Sequence, residues 1–265
     1  MAAHHNDHDF YIPGNSVWPP LSCLGLGMFM FGMTMLLHKA HLIGGLTLGT
    51  GVMILGYGAF MWFRTLINES RSRGFGSHSV PKVLDLANRY GMIFFIVSEL
   101  MFFAAFFAAY FYIYGFNAPD WPPSNIETLD IHLPVINTLL LLTSGVTVTF
   151  AHHAMIDNDR PYLRTMMMAT WMLGVIFLCC QMYEYSHATY AINSGAYGST
   201  FYMLTGFHGF HVLVGSVMLM VLHGRIRRGD FTPANHFYFE AAAWYWHFVD
   251  AVWIGLFLFV YVLPL

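Results

Sequence analysis

The chain has 265 residues, of which 57% are hydrophobic, 18% are aromatic and only 9% are charged, with a net charge of −3. An ordinary soluble domain carries charge on roughly a quarter of its residues, and disordered chains are rich in charge and poor in aromatic residues. This composition therefore excludes a soluble globular enzyme and a disordered chain, and it indicates an integral membrane protein.

Seven apolar runs are long enough to cross a bilayer as helices, since a hydrocarbon core of roughly 30 Å needs about 20 helical residues. The runs are continuous and show no period of two, so they are not the strands of a barrel. We predict an all-α integral membrane protein with seven transmembrane helices at Trp18–Leu37, Leu42–Phe63, Gly91–Tyr114, Leu133–Ala151, Thr165–Tyr183, Thr200–Leu222 and Ala241–Val262.

The basic residues lie mostly on one side of the membrane. Of the 11 Lys and Arg residues, all but Lys39 fall in or beside the loops after the second, fourth and sixth runs. Because inner loops are enriched in Lys and Arg, the N-terminus is predicted inside and the C-terminus outside. No basic residue precedes the first run, which is also longer than a signal-peptide core, so we expect no cleaved signal peptide.

The first two helices are predicted to form a hairpin that stands apart from the other five. Gly45 and Gly49 provide a small-xxx-small spacing that permits close helix approach, and a long inner loop follows the second helix. The separation would leave a cleft open to lipid, whereas the alternative is ordinary glycine-rich packing against the rest of the bundle. The predicted division is an inner-side N-terminal tail at 1–16, the hairpin at 17–64, an inner loop at 65–88 and a five-helix bundle at 89–265. His4, His5 and His8 are interpreted as part of a flexible polar tail.

Glu99 is the most costly residue to place, because it lies inside the apolar run MIFFIVSELMFFAAFFAAYF. On scales of membrane insertion, a charged side chain at the centre of a helix costs about 2.5–3.5 kcal/mol. Three interpretations stay open: a carboxyl that relays protons, an anchor for a polar lipid headgroup, and a protonated carboxyl that is hydrogen-bonded inside the bundle.

The last two helices carry a second group of polar residues. His208 and His211 share one face in TGFHGFH, while Glu240, His247 and Asp250 share a face in EAAAWYWHFVD. The Glu-x-x-His pairs of di-iron bundles are absent from these helices, so we favour a hydrogen-bonded seam between helices 6 and 7 over a metal or haem site. His152 and His153, at the inner end of helix 4, are interpreted as hydrated imidazoles and weak ligands.

Two other classes of function compete with a non-catalytic membrane subunit. A haem- or metal-bearing membrane oxidoreductase would use His208, His211 and His247 as ligands, and a proton-coupled transporter would use Glu99 and Asp250. The chain shows no nucleotide-binding glycine loop, no Cys-x-x-Cys-His motif and no internal repeat of the kind that transporters carry.

Several stretches of the chain, spread over nearly its whole length, resemble subunit III of the haem–copper cytochrome c oxidases. TGFHGFHVLVGS and EAAAWYWHFVD carry the most specific part of this resemblance. The complete set is SVWP (16–19), RYGMIFFIVSE (89–99), WPPSNI (121–126), INTLLLLTSG (136–145), AHH (151–153), YGSTF (197–201), TGFHGFHVLVGS (205–216) and EAAAWYWHFVD (240–250).

The resemblance implies an accessory subunit without catalytic, haem or metal-binding residues of its own. In that family the first two helices and the other five enclose a V-shaped cleft that holds phospholipids. Haem and copper belong to partner subunits, the chain packs on subunit I in a complex that also contains subunit II, and cytochrome c is the electron donor. The complex reduces O2 to water and pumps protons, while subunit III supports proton uptake and protects the active site during turnover.

The resemblance also assigns site residues. Glu99 matches the buried, carbodiimide-reactive carboxyl of the family, and five positions match or lie near lipid headgroups: Trp62, Arg64, Glu69, His78 and Arg225. The expected location is the cytoplasmic (inner) membrane of a bacterium in preference to the mitochondrial inner membrane, with no role in binding nucleic acid.

Overall fold

The computed structural model describes residues 15–72, 82–117, 121, 123 and 131–263. Some features of the sequence analysis lie outside the described residues: most of the N-terminal tail, with His4, His5 and His8, the loop residue His78, and most of the stretch 121–126.

In the described part of the chain, seven long helices follow one another, and each is long and apolar enough to cross a membrane. The predicted all-α fold with seven transmembrane helices is therefore confirmed. The helices are α1 Trp18–Leu37, α2 His41–Ser72, α3 Lys82–Asn117, α4 His132–Ile156, α5 Arg160–His187, α6 Gly195–Arg227 and α7 Phe237–Leu256, and α7 continues into a π-helical segment at Phe257–Val262.

Several helices are longer than the apolar runs that predicted them. α2 continues past Phe63 to Ser72 and α3 begins at Lys82, so both reach into the segment 65–88 that was predicted to be loop. The apolar run marks only the part of a helix that lies in hydrocarbon, whereas polar residues can continue the same helix into the headgroup region.

The helices divide into two compact units, residues 1–84 and 85–265, which we call the hairpin unit and the five-helix unit. In the hairpin unit, α1 and α2 are joined by a tight turn in which Lys39 adopts a left-handed backbone with φ of 65°. A side-chain Cβ added at Gly25 of α1 would lie only 2.5 Å from the backbone nitrogen of Leu55 on α2. The two backbones therefore approach so closely that only glycine fits between them.

The glycines that permit this approach are not the predicted pair. Gly45 and Gly49 have nothing within 4 Å of an added Cβ, so the predicted contact at these two positions is wrong. The contact residues repeat every seven positions, the interval at which one face of a helix returns to a nearly antiparallel partner. They are Gly25 and Gly32 on α1 and Gly44, Gly51 and Gly58 on α2.

The core of the five-helix unit is built by α4, α5, α6 and α7, which pack as neighbouring pairs. Trp246 of α7 lies at their common contact and is fully buried. Its ring nitrogen donates to the hydroxyl of Ser144 on α4 at 2.8 Å. A Cβ added at Gly174 of α5 or at Gly215 of α6 would lie 2.6 Å or 2.8 Å from its ring. Four helices thus meet around one indole.

α3 joins this core mainly through long side chains. Phe103 and Tyr110 are buried in the core of the five-helix unit, and Phe102, Phe106 and Phe107 pack against it. The Tyr110 hydroxyl also donates to the carbonyl of Phe259 at 2.8 Å. Most of the remaining surface of α3 is apolar and exposed within the chain, which is the surface expected to face lipid or another membrane subunit.

Candidate functional site

Glu99 on α3 forms a hydrogen bond with His211 on α6. The Oε2 atom of Glu99 lies 3.0 Å from Nε2 of His211. The other ring nitrogen of His211, Nδ1, lies 2.7 Å from the carbonyl oxygen of Phe207. Because a carbonyl oxygen can only accept, Nδ1 carries a hydrogen. The contact between Nε2 and Oε2 therefore holds one proton, either as an ion pair or as a neutral acid–imidazole pair.

The surroundings of this bond are aromatic. The ring centroids of Phe102 and Phe103 lie 6.1 Å and 4.9 Å from the His211 ring. The hydroxyl of Tyr245 on α7 donates to the His211 carbonyl at 3.3 Å. About a quarter of the Glu99 side chain is exposed, against 10% for His211. This geometry supports the hydrogen-bonded interpretation of Glu99 among the three that the sequence leaves open.

Glu240, in the first turn of α7, links that helix to α3. Its Oε2 atom lies 2.6 Å from Nη1 of Arg89, and the Nε of Arg89 lies 3.0 Å from Asp85. The Arg89 guanidinium also lies 5.3 Å from the centre of the Phe237 ring. A carboxylate in the first turn is favoured by the helix dipole, so the start of α7 is a natural position for Glu240.

The other carboxylate oxygen of Glu240 faces two histidines. Nε2 of His236 lies 3.1 Å from Oε1 of Glu240, and Nε2 of His152 on α4 lies 3.9 Å from the same oxygen. The two histidine nitrogens are 3.4 Å apart. The sequence interpretation of His152 as a hydrated imidazole missed this arrangement, because His236 lies in the connection before α7 and no sequence spacing relates it to α4.

His208 is fully enclosed in the core of the five-helix unit. Its Nε2 atom lies 3.3 Å from the carbonyl of Val249 on α7. The rings of Phe177 and Trp253 pack against the imidazole at centroid distances of 5.6 Å and 5.1 Å. This contact joins α6 to α7.

His247 and Asp250 point from α7 towards α4. Nε2 of His247 lies 3.4 Å from the hydroxyl of Thr149. Nδ1 of His247 lies 3.9 Å from Oδ2 of Asp250, which is longer than a hydrogen bond. A Cβ added at Gly145 of α4 would lie 2.5 Å from Oδ2 of Asp250, so glycine at this position makes room for the carboxyl.

The five residues of the predicted seam between helices 6 and 7 do not all contact the same neighbour. His208 contacts α7 through its side chain, and His211 bonds to Glu99 on α3 and stacks beside Tyr245 on α7. Glu240 contacts α3, and His247 and Asp250 contact α4. Spacing along one helix does not identify which neighbour each residue meets. Sequence reasoning also passed over Trp246, whose surrounding glycines and serine carry no recognisable motif.

The residues expected to bind lipid are distributed over both units. In the hairpin unit, Trp62 and Arg64 are exposed on α2 and Glu69 is half-buried. In the five-helix unit, Arg225 is only 8% exposed. Its Nε atom lies 3.0 Å from Asp230, and its guanidinium lies 4.6 Å from the centre of the Phe231 ring. A lipid phosphate at Arg225 would have to compete with Asp230.

Comparison with known proteins gives consistent matches over nearly the whole chain. The family model described as "Cytochrome c oxidase subunit III" matches residues 8–264. The chain is 40% identical to cytochrome c oxidase subunit 3 of Loxodonta africana over 262 residues, which covers 97% of this chain and 98% of the relative. It is 43% identical to that of Marchantia polymorpha over 261 residues, with 96% of each chain covered. The protein of the same description from Bos taurus is 40% identical over 265 residues, which covers 97% of this chain and 98% of the relative.

Proposed function

The chain belongs to the cytochrome c oxidase subunit III family, and we propose that it acts within the oxidase as an accessory subunit without redox centres. In this proposal it binds phospholipids, stabilises subunit I and supports proton uptake, while haem and copper belong to the partner subunits. The oxidase as a whole takes electrons from cytochrome c, reduces O2 to water and pumps protons.

The observation that carries the proposal is the use of the polar residues as pairwise links between helices. His208, His211 and His247 would be the ligands of a haem- or metal-bearing oxidoreductase. Their side-chain nitrogens instead form hydrogen bonds to residues on three different helices, α7, α3 and α4. Ligands to one haem iron must converge on one point, and these three imidazoles instead point to separate partners. The arrangement supports a structural role for them.

Glu99 and Asp250, the candidate residues of a proton-coupled transporter, are likewise separated. Glu99 pairs with α6 beside phenylalanine rings, whereas Asp250 packs into the space left by Gly145 on α4. A proton path needs a chain of groups that exchange protons, and these two carboxyls contact different helices. We propose that Glu99 fixes α3 against α6.

We propose that this chain binds phospholipid. Trp62 and Arg64 support this, because an exposed indole and an exposed guanidinium near a helix end are the groups that meet headgroups and phosphates. We also propose that the N-terminus is inside and the C-terminus outside, from the one-sided distribution of Lys and Arg.

The membrane of origin is part of the same proposal. Seven helices among the described residues are suited to span a membrane, and the relatives named above come from two mammals and a liverwort. These organisms do not favour the predicted bacterial membrane over a mitochondrial one. Both are inner membranes of the kind in which an oxidase builds a proton gradient, and we keep the bacterial inner membrane as the proposal.

The test is purification of the intact oxidase through a tag on this chain, followed by a haem spectrum and identification of the co-purifying subunits. This chain is then removed from the complex and the measurements are repeated during continuous turnover. We expect the haem to stay with the larger subunits and the depleted oxidase to lose activity faster than the intact one. Haem that follows this chain, or equal lifetimes of the two preparations, would contradict the proposal.

Lipid binding is tested separately with Arg64→Ala in the intact complex. We expect less co-purifying phospholipid by mass spectrometry because the exposed guanidinium no longer meets a phosphate. Arg227→Ala is the matched control, since Arg227 is also exposed and lies at the end of α6. Equal phospholipid in both variants and the parent would show that Arg64 does not hold lipid.

A further inference from the structure

His152, His236 and Glu240 form a compact group at one end of the five-helix unit, which we call the His–His–Glu cluster. Arg160 and Arg225 both contact Phe231 in the connection between α6 and α7. Arg160 donates to the Phe231 carbonyl, and the Arg225 guanidinium lies over the Phe231 ring. The cluster joins the last turns of α4 to the first turn of α7.

Three ligand atoms of this cluster face one another, Nε2 of His152, Nε2 of His236 and Oε1 of Glu240, all within 4.8 Å. The separations are 3.4 Å between the two nitrogens, 3.1 Å between His236 and the oxygen, and 3.9 Å between His152 and the oxygen. These values leave one point in the plane of the three atoms about 2.0 Å from each of them, which is within the range of zinc–nitrogen and zinc–oxygen bond lengths. A transition-metal ion fits this point without a rearrangement of the helices.

The chemistry of the three atoms also favours a cation. A carboxylate oxygen only accepts hydrogen bonds, and the ring of a neutral histidine has one nitrogen that accepts. Three such atoms facing one point are mutually repulsive unless protons or a positive ion lie between them. Two imidazoles and a carboxylate make a ligand set that zinc takes in proteins, with water in the remaining position.

The surroundings resemble those of a metal site that keeps an open position. The side chain of His152 is 33% exposed, so water can reach the site, whereas those of His236 and Glu240 are only 11% and 16% exposed. Arg89 holds the other carboxylate oxygen at 2.6 Å, which leaves Oε1 directed at the histidines. A charged outer partner of this kind helps to orient a carboxylate ligand. The ring of Phe239 packs against His152 at a centroid distance of 5.6 Å.

From this geometry we propose that the His–His–Glu cluster binds a divalent transition-metal ion, with Zn²⁺ as the ion that fits it. His152 and His236 contribute their Nε2 atoms, Glu240 contributes Oε1, and water completes the coordination. The site lies outside the residues that the proposed lipid and structural functions use, apart from the Arg89–Glu240 link between α3 and α7. A bound ion would tie the end of α4 to the start of α7.

The test is zinc binding by the full chain in detergent, with free Zn²⁺ set by a chelator and bound metal measured by mass spectrometry after gel filtration. The tail histidines could bind zinc themselves, so every protein in the comparison carries the substitutions His4→Gln, His5→Gln and His8→Gln. The preparation uses an affinity tag without histidine.

Two variants at neighbouring positions make the comparison specific. His152→Gln removes a proposed ligand from a partly exposed position, and His153→Gln is the matched control because the His153 side chain is exposed and outside the cluster. We expect the parent and His153→Gln to bind a single zinc ion with equal affinity. His152→Gln should weaken binding by more than the roughly 10- to 100-fold loss that is typical for an outer-shell substitution.

X-ray absorption at the zinc edge gives an independent measurement on the parent protein, and its expected result is two imidazole ligands with the remaining ligands oxygen. His236→Gln is a second variant, expected to match His152→Gln. Equal zinc affinity in His152→Gln and the parent, no saturable binding by the parent, or a zinc site without imidazole would each overturn the proposal.

Discussion

The bond between Glu99 and His211 should couple α3 to α6 energetically. In the double variant cycle, Glu99→Leu removes the carboxyl, His211→Leu removes the imidazole, and the double variant removes both. Each single change leaves the other polar group without its partner at 3.0 Å. The double change leaves no unpaired group, so the two losses should not add.

The size of the coupling follows from the surroundings of the pair. A polar group left unpaired in a buried site costs about 1–3 kcal/mol. Hydrogen bonds between membrane helices average only about 0.6 kcal/mol and reach about 1.7 kcal/mol in such cycles. Because Glu99 is a quarter exposed and His211 is nearly enclosed, we expect a coupling free energy of about 1 kcal/mol, within that membrane range.

The assay is unfolding of the full chain in detergent by added dodecyl sulfate, with the free energy of unfolding obtained for all four proteins. A second cycle pairs Glu99→Leu with His223→Leu, because His223 lies on the same α6 helix three turns beyond His211. Distant sites add within about 0.3–0.5 kcal/mol, so this control cycle should show no coupling. A coupling for Glu99 and His211 that is no larger than the control would refute the structural link.

Three further predictions concern other parts of the chain. Gly51→Ala should lower the thermal unfolding midpoint of the full chain, because the new Cβ would overlap the α1 backbone. Overpacking of this kind typically costs about 1–3 kcal/mol. Gly49→Ala is the control and should leave the midpoint unchanged, because the space around Gly49 is open. Arg225→Ala should lower the free energy of unfolding by about 1.5–3 kcal/mol, because it removes a charge-assisted hydrogen bond to Asp230. The retained phospholipid, measured by mass spectrometry, should change little. Arg227→Ala, at an exposed position, should change neither quantity. Burial raises the pKa of Tyr190 in the connection between α5 and α6. The stability that this shift contributes is complete below the ordinary tyrosine pKa of about 10 and is lost as the pH rises further. The thermal unfolding midpoint should therefore fall less steeply with rising pH in Tyr190→Phe than in the parent.

The sequence predicted the positions of the helices but not which helices contact each other. Length and apolarity located all seven spans because the bilayer imposes a minimum number of apolar residues on each. The same reasoning failed at Gly45 and Gly49, since α2 carries glycines on more than one face and only the packed structure selects Gly44, Gly51 and Gly58. Spacing along one helix identifies a shared face, but the neighbour of that face depends on the arrangement of the other helices.

His208 and His211 show the same limit within the candidate site. The two histidines are three positions apart, which at 3.6 residues per turn places their side chains about 60° apart around the helix axis. Because this angle is small, the prediction assigned both histidines to the same neighbouring helix. In the structure that angle is enough for His208 to reach the α7 backbone while His211 reaches Glu99 on α3. The His–His–Glu cluster was harder still, because His236 lies outside a helix and His152 is far from it along the chain.

The polar contacts of α3 give a reason for polar and charged residues whose insertion into the bilayer costs free energy. Arg89 contacts Glu240, Glu99 contacts His211 and Tyr110 contacts the Phe259 carbonyl, at intervals of about 15 Å along the helix at 1.5 Å per residue. Apolar packing alone distinguishes poorly between neighbouring positions of a helix in lipid, whereas three directional contacts at different depths fix both its height and its rotation. Loss of one contact leaves two, so Glu99→Gln should keep α3 in place. Loss of proton pumping by that variant in a fully assembled oxidase would therefore have to come from proton chemistry at Glu99, because the helix position would be unchanged.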